Sequence, residues 1–176
     1  METAVFAGGC FWCTEAVFSS LKGVISVTPG YTGGRLRQPT YEQVCEMETG
    51  HAESVRITYD PSVISYDDLL AVFFNVHDPT TVNRQGGDVG TQYRSVIFYT
   101  TPTQKEKALK LINELNSSKA YDKPVVTEVV SLGEFFEAES YHRDYFRNNS
   151  DQAYCQLVIA PKLEKLRERF EALIKP

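Results

Sequence analysis

The chain has 176 residues, 42% of them hydrophobic and 23% charged, with a formal net charge of −5. A compact fold of that length buries roughly 70% of the surface its unfolded chain exposes, so neither a metal nor a disulfide is required merely to hold a core together. The mild acidity argues against a nucleic-acid binder, whose footprint is a basic face, and no window approaches the ~20 consecutive apolar residues of a membrane span.

No repeat, low-complexity tract or linker divides the sequence, which reads as a single catalytic domain over residues 1–176. Thr3 to Ala7 reads as a short apolar strand, Gly8-Gly9 breaks it, and Cys10 to Leu21 follows as a helix. Pro29 to Tyr41, rich in glycine, reads as a long loop of functional rather than disordered character. Glu53 to Tyr59 alternates strictly, with Val55, Ile57 and Tyr59 on one face, and Asp60-Pro61 ends it. Ser65 and Asp68 form a capping box before a helix whose Leu69, Val72, Phe73 and Val76 recur at helical spacing. A second long loop runs from Asp78 to Gln92, and a strand from Arg94 to Tyr99. Thr101 then caps a helix with Pro102 in its first position and a buried stripe of Ala108, Leu111, Ile112 and Leu115. Val125 to Val130 reads as a strand, and Lys162 to Ile174 as a terminal helix burying Leu163, Leu166, Phe170 and Leu173. This order suits an α+β fold, a two-layer sandwich with a mixed β-sheet, helices packed against it and long ordered loops.

The most informative segment is Gly8-Gly9-Cys10-Phe11-Trp12-Cys13-Thr14-Glu15. A cysteine at a helix N-terminus faces free N–H groups and the positive end of the dipole, so the Cys10 thiol is expected to be unusually acidic. Cys13 lies three residues on, on the same helical face and within disulfide reach. The competing reading, two small buried hydrophobes, is weakened by the glycine-flanked CxxC arrangement. Cys45 and Cys155 are isolated, which speaks against zinc, and Cys45 reads as simply buried. His51, His77 and His142 read as local hydrogen-bonding residues.

Glu53 shares the parity of Val55, Ile57 and Tyr59, so its carboxyl points to the apolar side of the strand. Desolvation there raises a carboxyl pKa and makes it a general acid near neutral pH. The other reading places Glu53 just before the strand and turned to solvent. Phe11 and Trp12 suit either core packing or a hydrophobic substrate pocket.

Taken together, GGCFWCTEAVF from Gly8, GYTGG from Gly30, PTYEQVC from Pro39, TGHAESVRITYDP from Thr49, HDPTTVNRQGGDVGTQYRS from His77 and AESYHRDYF from Ala138 resemble the peptide methionine sulfoxide reductase A family, in the family's order and over most of the chain. The resemblance implies a central mixed sheet and reduction of the S epimer of methionine sulfoxide, free or in peptides and proteins. It also implies Cys10 as nucleophile, Glu53 as acid, Tyr41 and Tyr93 as hydrogen-bond donors to the sulfoxide oxygen, Phe11 and Trp12 as the methyl pocket, and Asp88 as a substrate contact.

No cofactor is expected to be bound, since no GxGxxG occurs; the electrons come from an external dithiol, a thioredoxin-like protein or dithiothreitol. The start Met1-Glu2-Thr3-Ala4 lacks an export signal, so the expectation is a cytoplasmic monomer with no membrane or nucleic-acid partner. Many family members have glycine at the Cys13 position and resolving cysteines in a glycine-rich C-terminal tail. Here Cys155 is followed by a helix, which counts against its reaching Cys10; Cys13 is therefore favoured as the first resolving thiol, with a relay through both as a further route. Two rival readings are a general CxxC thiol-disulfide oxidoreductase and a non-catalytic sensor of oxidised methionine.

Overall fold

The computed structural model describes residues 1–176. Its strands are β1 (Glu2–Gly8), β2 (Val24–Thr32), β3 (Ala52–Tyr59), β4 (Arg84–Gln85), β5 (Asp88–Val89), β6 (Ser95–Tyr99), β7 (Glu128–Ser131) and β8 (Phe136–Glu137). The helices are α1 (Phe11–Ser19), α2 (Tyr41–Cys45), α3 (Tyr66–Val76), α4 (Pro102–Ser117), α5 (Tyr145–Asn148) and α6 (Ala160–Phe170). Six strands form one sheet in the order β7-β6-β1-β3-β2-β8, in which β6 and β7 run parallel and the other neighbours antiparallel. The sheet is mixed, as expected, and no helix is long and apolar enough to cross a membrane.

Strand alternation divides the core. Ala4 and Phe6 of β1 and Val55, Ile57 and Tyr59 of β3 face the helices, where α1, α3, α4 and α6 contribute Phe18, Leu69, Phe73, Ala108 and Leu166. Phe6 lies 4.9 Å from the Phe73 ring and 5.5 Å from Phe18, pairs worth about 0.5–1.5 kcal/mol each beyond their burial. Val5, Ala7, Ala52, Val96 and Phe98 point the other way, into a smaller cluster covered by Leu132 and Phe135.

The predicted caps are present. Ser65 and Asp68 make both bonds of the capping box on α3, Thr101 caps α4 with Pro102 in its first turn, and Ala108 is buried while Leu111, Ile112 and Leu115 are half-buried. Gly9, at φ +97°, turns the chain from β1 into α1; a Cβ there would lie 2.7 Å from Gln85 Cγ, so both backbone hand and space favour glycine.

Three expectations are corrected. Pro29 to Thr32 is not loop but the end of β2, paired with β3 from Val24 to Thr32, so that only Gly33 to Thr40 separates it from α2. Backbone pairing along β3 overrides the turn character of Pro29-Gly30. The strand expected at Val125 begins later, at Glu128, where parallel pairing to β6 starts. The terminal helix starts earlier than Lys162, at Ala153, and passes through a π-helical turn, Cys155–Ile159, before α6. Pro161 follows that turn; having no N–H for the carbonyl of residue 157, it disfavours a regular α-helical register there. α6 ends at Phe170, and of the four apolar residues expected beneath it only Leu166 is fully buried.

Candidate active site

Glu53 projects from β3 on the helix-covered face, in step with Val55, and is 1% exposed. This decides between its two sequence readings in favour of the inward one. Its Oε1 accepts the Phe11 backbone N–H at 3.2 Å, while Oε2 is buried without a partner. Burial, more than the bond from Phe11, sets its acidity: the carboxyl is pushed up to about 8. At neutral pH it is a protonated acid with one oxygen uncommitted.

Cys10 is the N-cap of α1 and is 8% exposed; Cys13, one turn on, is 2% exposed. The acidic Cys10 thiol expected from the helix terminus is not found. The Trp12 backbone N–H lowers its pKa, but burial, its hydrogen bond to Cys13 and the charge of Glu53 together hold it well above the ordinary thiol value. The acidity passes to Cys13, lowered to about 7 chiefly by the bond it receives from Cys10, with Lys162 and Tyr154 assisting against burial. The two sulfurs thus share one proton and titrate as a pair.

Cys155 was expected to stand away from Cys10. Instead the π turn carries it inward, 0% exposed, and Cys10, Cys13, Cys155 and Ile159 pack as one cluster with Tyr93 and Tyr154 at its margin. Burial and the neighbouring charge of Cys13 hold the Cys155 thiol up. All four cysteines are free thiols.

Tyr41 opens α2, and Tyr93 ends a one-turn 3-10 helix, Thr91–Tyr93, after the β4–β5 hairpin. Both are half-buried, and burial together with the charge of Glu53 raises both phenols, which stay protonated donors. Glu139 anchors this side, accepting the Tyr41 backbone N–H at 2.9 Å and the Tyr31 hydroxyl at 3.0 Å. Cys45 is not fully buried as expected; it is half-exposed at the end of α2, a hydrogen-bond partner of the Tyr41 hydroxyl. Asp88, on β5, is half-buried and accepts the Tyr154 hydroxyl at 2.8 Å, and that hydroxyl also lies 3.6 Å from Cys13 Sγ.

The two adjacent aromatics differ. Phe11 is wholly buried, 4.9 Å from the His142 ring and 6.4 Å from Tyr41. Trp12 is half-exposed, stacks on Tyr145 at 3.7 Å and 7°, and meets Tyr154 edge-on at 5.8 Å. Its Nε1–H donates to His142 Nδ1 at 3.0 Å. Burial lowers the His142 pKa, so the imidazole is neutral; its Nε2 has no partner. His51 and His77 do make the expected local bonds, to Gly34 N and Leu36 O and to Phe73 O and Ser95 Oγ. His142 does more, orienting Trp12 across 130 residues of sequence. Together with Tyr145 and Tyr154 it carries no local signal of its role: His142 closes a 3-10 turn, and Tyr145 opens α5 only after the left-handed Asp144.

No group of three or more His, Cys, Asp or Glu side chains is arranged to hold a metal ion. The arrangement offers a sulfur nucleophile, a neutral acid, two phenol donors and an aromatic wall.

Comparison with known proteins identifies the family and the fold. The family model described as peptide methionine sulfoxide reductase matches residues 2–173. The chain is 55% identical to the peptide methionine sulfoxide reductase MsrA of Chromobacterium violaceum over 99% of both chains. It is also 55% identical to that of Sulfolobus acidocaldarius, over 97% of this chain and 96% of the relative. Similar solved structures include reduced Mxr1 of Saccharomyces cerevisiae, at 31% identity and TM-score 0.81 over 88% of each chain. Methionine sulfoxide reductase A of Corynebacterium diphtheriae superposes at TM-score 0.81 with 34% identity, over 85% of this chain and 75% of that one.

Proposed function

The chain belongs to the peptide methionine sulfoxide reductase family, and we propose that it reduces the S epimer of methionine sulfoxide, free or within peptides and proteins, at Cys10. The observation that carries this assignment is the Glu53 carboxyl: buried, neutral at pH 7, and with one oxygen unpartnered beside the Cys10–Cys13 pair.

A sulfoxide oxygen carries partial negative charge and leaves poorly. Hydrogen bonds from Glu53, Tyr41 and Tyr93 draw charge from it and make sulfur electrophilic. Half-exposed Trp12 receives the methyl group; wholly buried Phe11 forms the floor beneath it. Asp88, held by Tyr154, contacts the rest of the substrate.

Cys10 passes its proton to Cys13 and attacks as the thiolate, Glu53 supplies a proton to oxygen, and the oxygen ends on Cys10. Two electrons leave Cys10, methionine is released, and Cys10 becomes a sulfenic acid. Cys13 then attacks the Cys10 sulfur, an S–S bond forms, and the hydroxyl leaves as water. Cys155, packed beside Cys13, is placed to accept the bond next, and a thioredoxin-like dithiol or dithiothreitol restores the thiols by exchange. No bound cofactor enters this cycle. Residues 1–176 serve as one catalytic unit, and four free cysteines suit a reducing compartment such as the cytoplasm.

The test is formation of methionine from its sulfoxide with dithiothreitol, abolished in Cys10→Ser. Absence of methionine alongside brisk reduction of insulin disulfides would favour a general thiol-disulfide oxidoreductase. Binding of sulfoxide peptides without stoichiometric methionine from the prereduced protein would favour a sensor.

A further inference from the structure

Beside Cys13, a narrow cavity is lined by Gly8, Cys13, Val17, Phe73, His77 and Lys162. Lys162 is half-buried in the first turn of α6 and also lines the outer groove that opens to solvent beside Lys123 and Lys165. Lys162 therefore borders both spaces, sharing the inner one with Cys13 and the outer one with Asp78 and Asp122, and no carboxylate forms an ion pair with it within 4.0 Å. A half-buried ammonium without a carboxylate partner acts on whatever anion lies nearest, and in a poorly hydrated cavity that action is strong.

The other charged and titratable groups around Cys13 are few. Cys10 donates to it, the Tyr154 hydroxyl is 3.6 Å away, and Asp88, Glu53 and Cys155 oppose a negative charge on it. His77, pushed down to about 4 by burial, is neutral. Lys162 is thus the cation at the wall of this cavity, and the first turn of α6 positions it there.

We propose that Lys162 is a positioning residue for the resolving step: its ammonium holds Cys13 as the thiolate that attacks oxidised Cys10, without acting on the sulfoxide. This rests on the assignment of Cys13 as the thiol that closes the first disulfide. The step balances without any new reactant. The Cys13 thiolate displaces hydroxide from the Cys10 sulfenic acid and the hydroxide takes up a proton to become water; formally the Cys13 sulfur gives up one electron and the Cys10 sulfur gains one, so both end at the disulfide level.

The experiment is a single turnover of the prereduced protein with one equivalent of methionine sulfoxide between pH 5.5 and 9. Methionine release and the Cys10–Cys13 bond are followed separately by quenched mass spectrometry. In Lys162→Met, and in Lys162→Gln as a second neutral variant, methionine release at its own pH optimum stays within about twofold of wild type, its rising limb moving to higher pH with the Cys10–Cys13 pair. Disulfide closure at pH 7 slows about three- to tenfold, and its midpoint moves to higher pH, because less Cys13 is ionised. Lys162→Arg restores the wild-type profile; loss of packing alone would not produce that rescue.

A closure profile unmoved in both neutral variants, with the Cys10–Cys13 bond still forming, overturns the proposal alone. A wild-type protein that releases methionine but joins Cys10 first to Cys155 overturns the assignment of Cys13, and the role of Lys162 falls with it. A wild-type protein that releases no methionine refutes the proposed activity itself.

Discussion

Replacing Glu53 with glutamine separates the catalytic role of the carboxyl from its cost to the fold. The amide keeps the shape and can still accept the Phe11 N–H, a bond of 3.2 Å in the wild type, but it has no acidic proton to give. Loss of a general acid costs roughly 10²–10⁴-fold, so methionine release in a single turnover falls by about that factor, while closure of the disulfide, which follows oxygen transfer, slows far less. The pH dependence sharpens this. The cysteine pair loses a proton near 7 and Glu53 loses its own near 8, so the wild-type first step rises through the former, falls through the latter, and peaks between them. Glu53→Gln keeps the rise and loses the fall.

Stability moves the opposite way. In the unfolded chain the carboxyl ionises near its ordinary value of 4.5, in the folded protein only near 8. Between those values folding takes up a proton, so wild-type stability declines as pH rises. The difference at pH 7 is about 3 kcal/mol. Glutamine has no such proton, though its amide hydrogens lack partners, which leaves Glu53→Gln more stable by about 1–3 kcal/mol at pH 7. At pH 4.5 that advantage is gone. Urea unfolding at the two pH values measures it. A variant that is slowed less than tenfold, or is no more stable at pH 7 than at 4.5 relative to wild type, refutes a buried neutral acid at this position.

Removing the hydroxyl in Tyr41→Phe or Tyr93→Phe slows methionine release about tenfold each, the worth of one hydrogen bond to developing charge; rates within twofold of wild type would remove these phenols from the reaction. Cys13→Ser releases one methionine per chain and then stalls with a thioredoxin-type dithiol, and undiminished turnover would transfer the resolving role to Cys155. His142→Phe strips Trp12 of its 3.0 Å acceptor, raising KM for a sulfoxide peptide about five- to tenfold with little change in kcat, since loosening a pocket wall weakens ground and transition states alike. An unchanged KM would show that Trp12 needs no such anchor.

Much of this was legible without coordinates because its causes are local. The box at Ser65 and Asp68, the Thr101–Pro102 start of α4 and the parity of Glu53 each follow from neighbours within a few residues. The ordered family segments singled out Glu53, Cys10, Tyr41 and Tyr93, the residues to which the proposed reaction assigns its acid, nucleophile and phenol donors. What the local chain could not reveal depends on partners distant in sequence. Pro29-Gly30 reads as a turn until β3 pairs with it, and His142 is an unremarkable histidine until Trp12 arrives from the other end of the molecule.

The acidity of the thiols belongs to the same class. The linear chain determined that a CxxC stands at a helix N-terminus, and the Trp12 N–H does lower the Cys10 pKa. Only the packed structure decided that burial and the hydrogen bond to Cys13 outweigh that dipole and place the anion on Cys13 instead. It also carried Cys155 inward through a π turn to complete a three-cysteine cluster. Periodicity and capping are properties of neighbouring residues; desolvation and charge proximity are sums over everything the fold brings near, and a sequence does not state them.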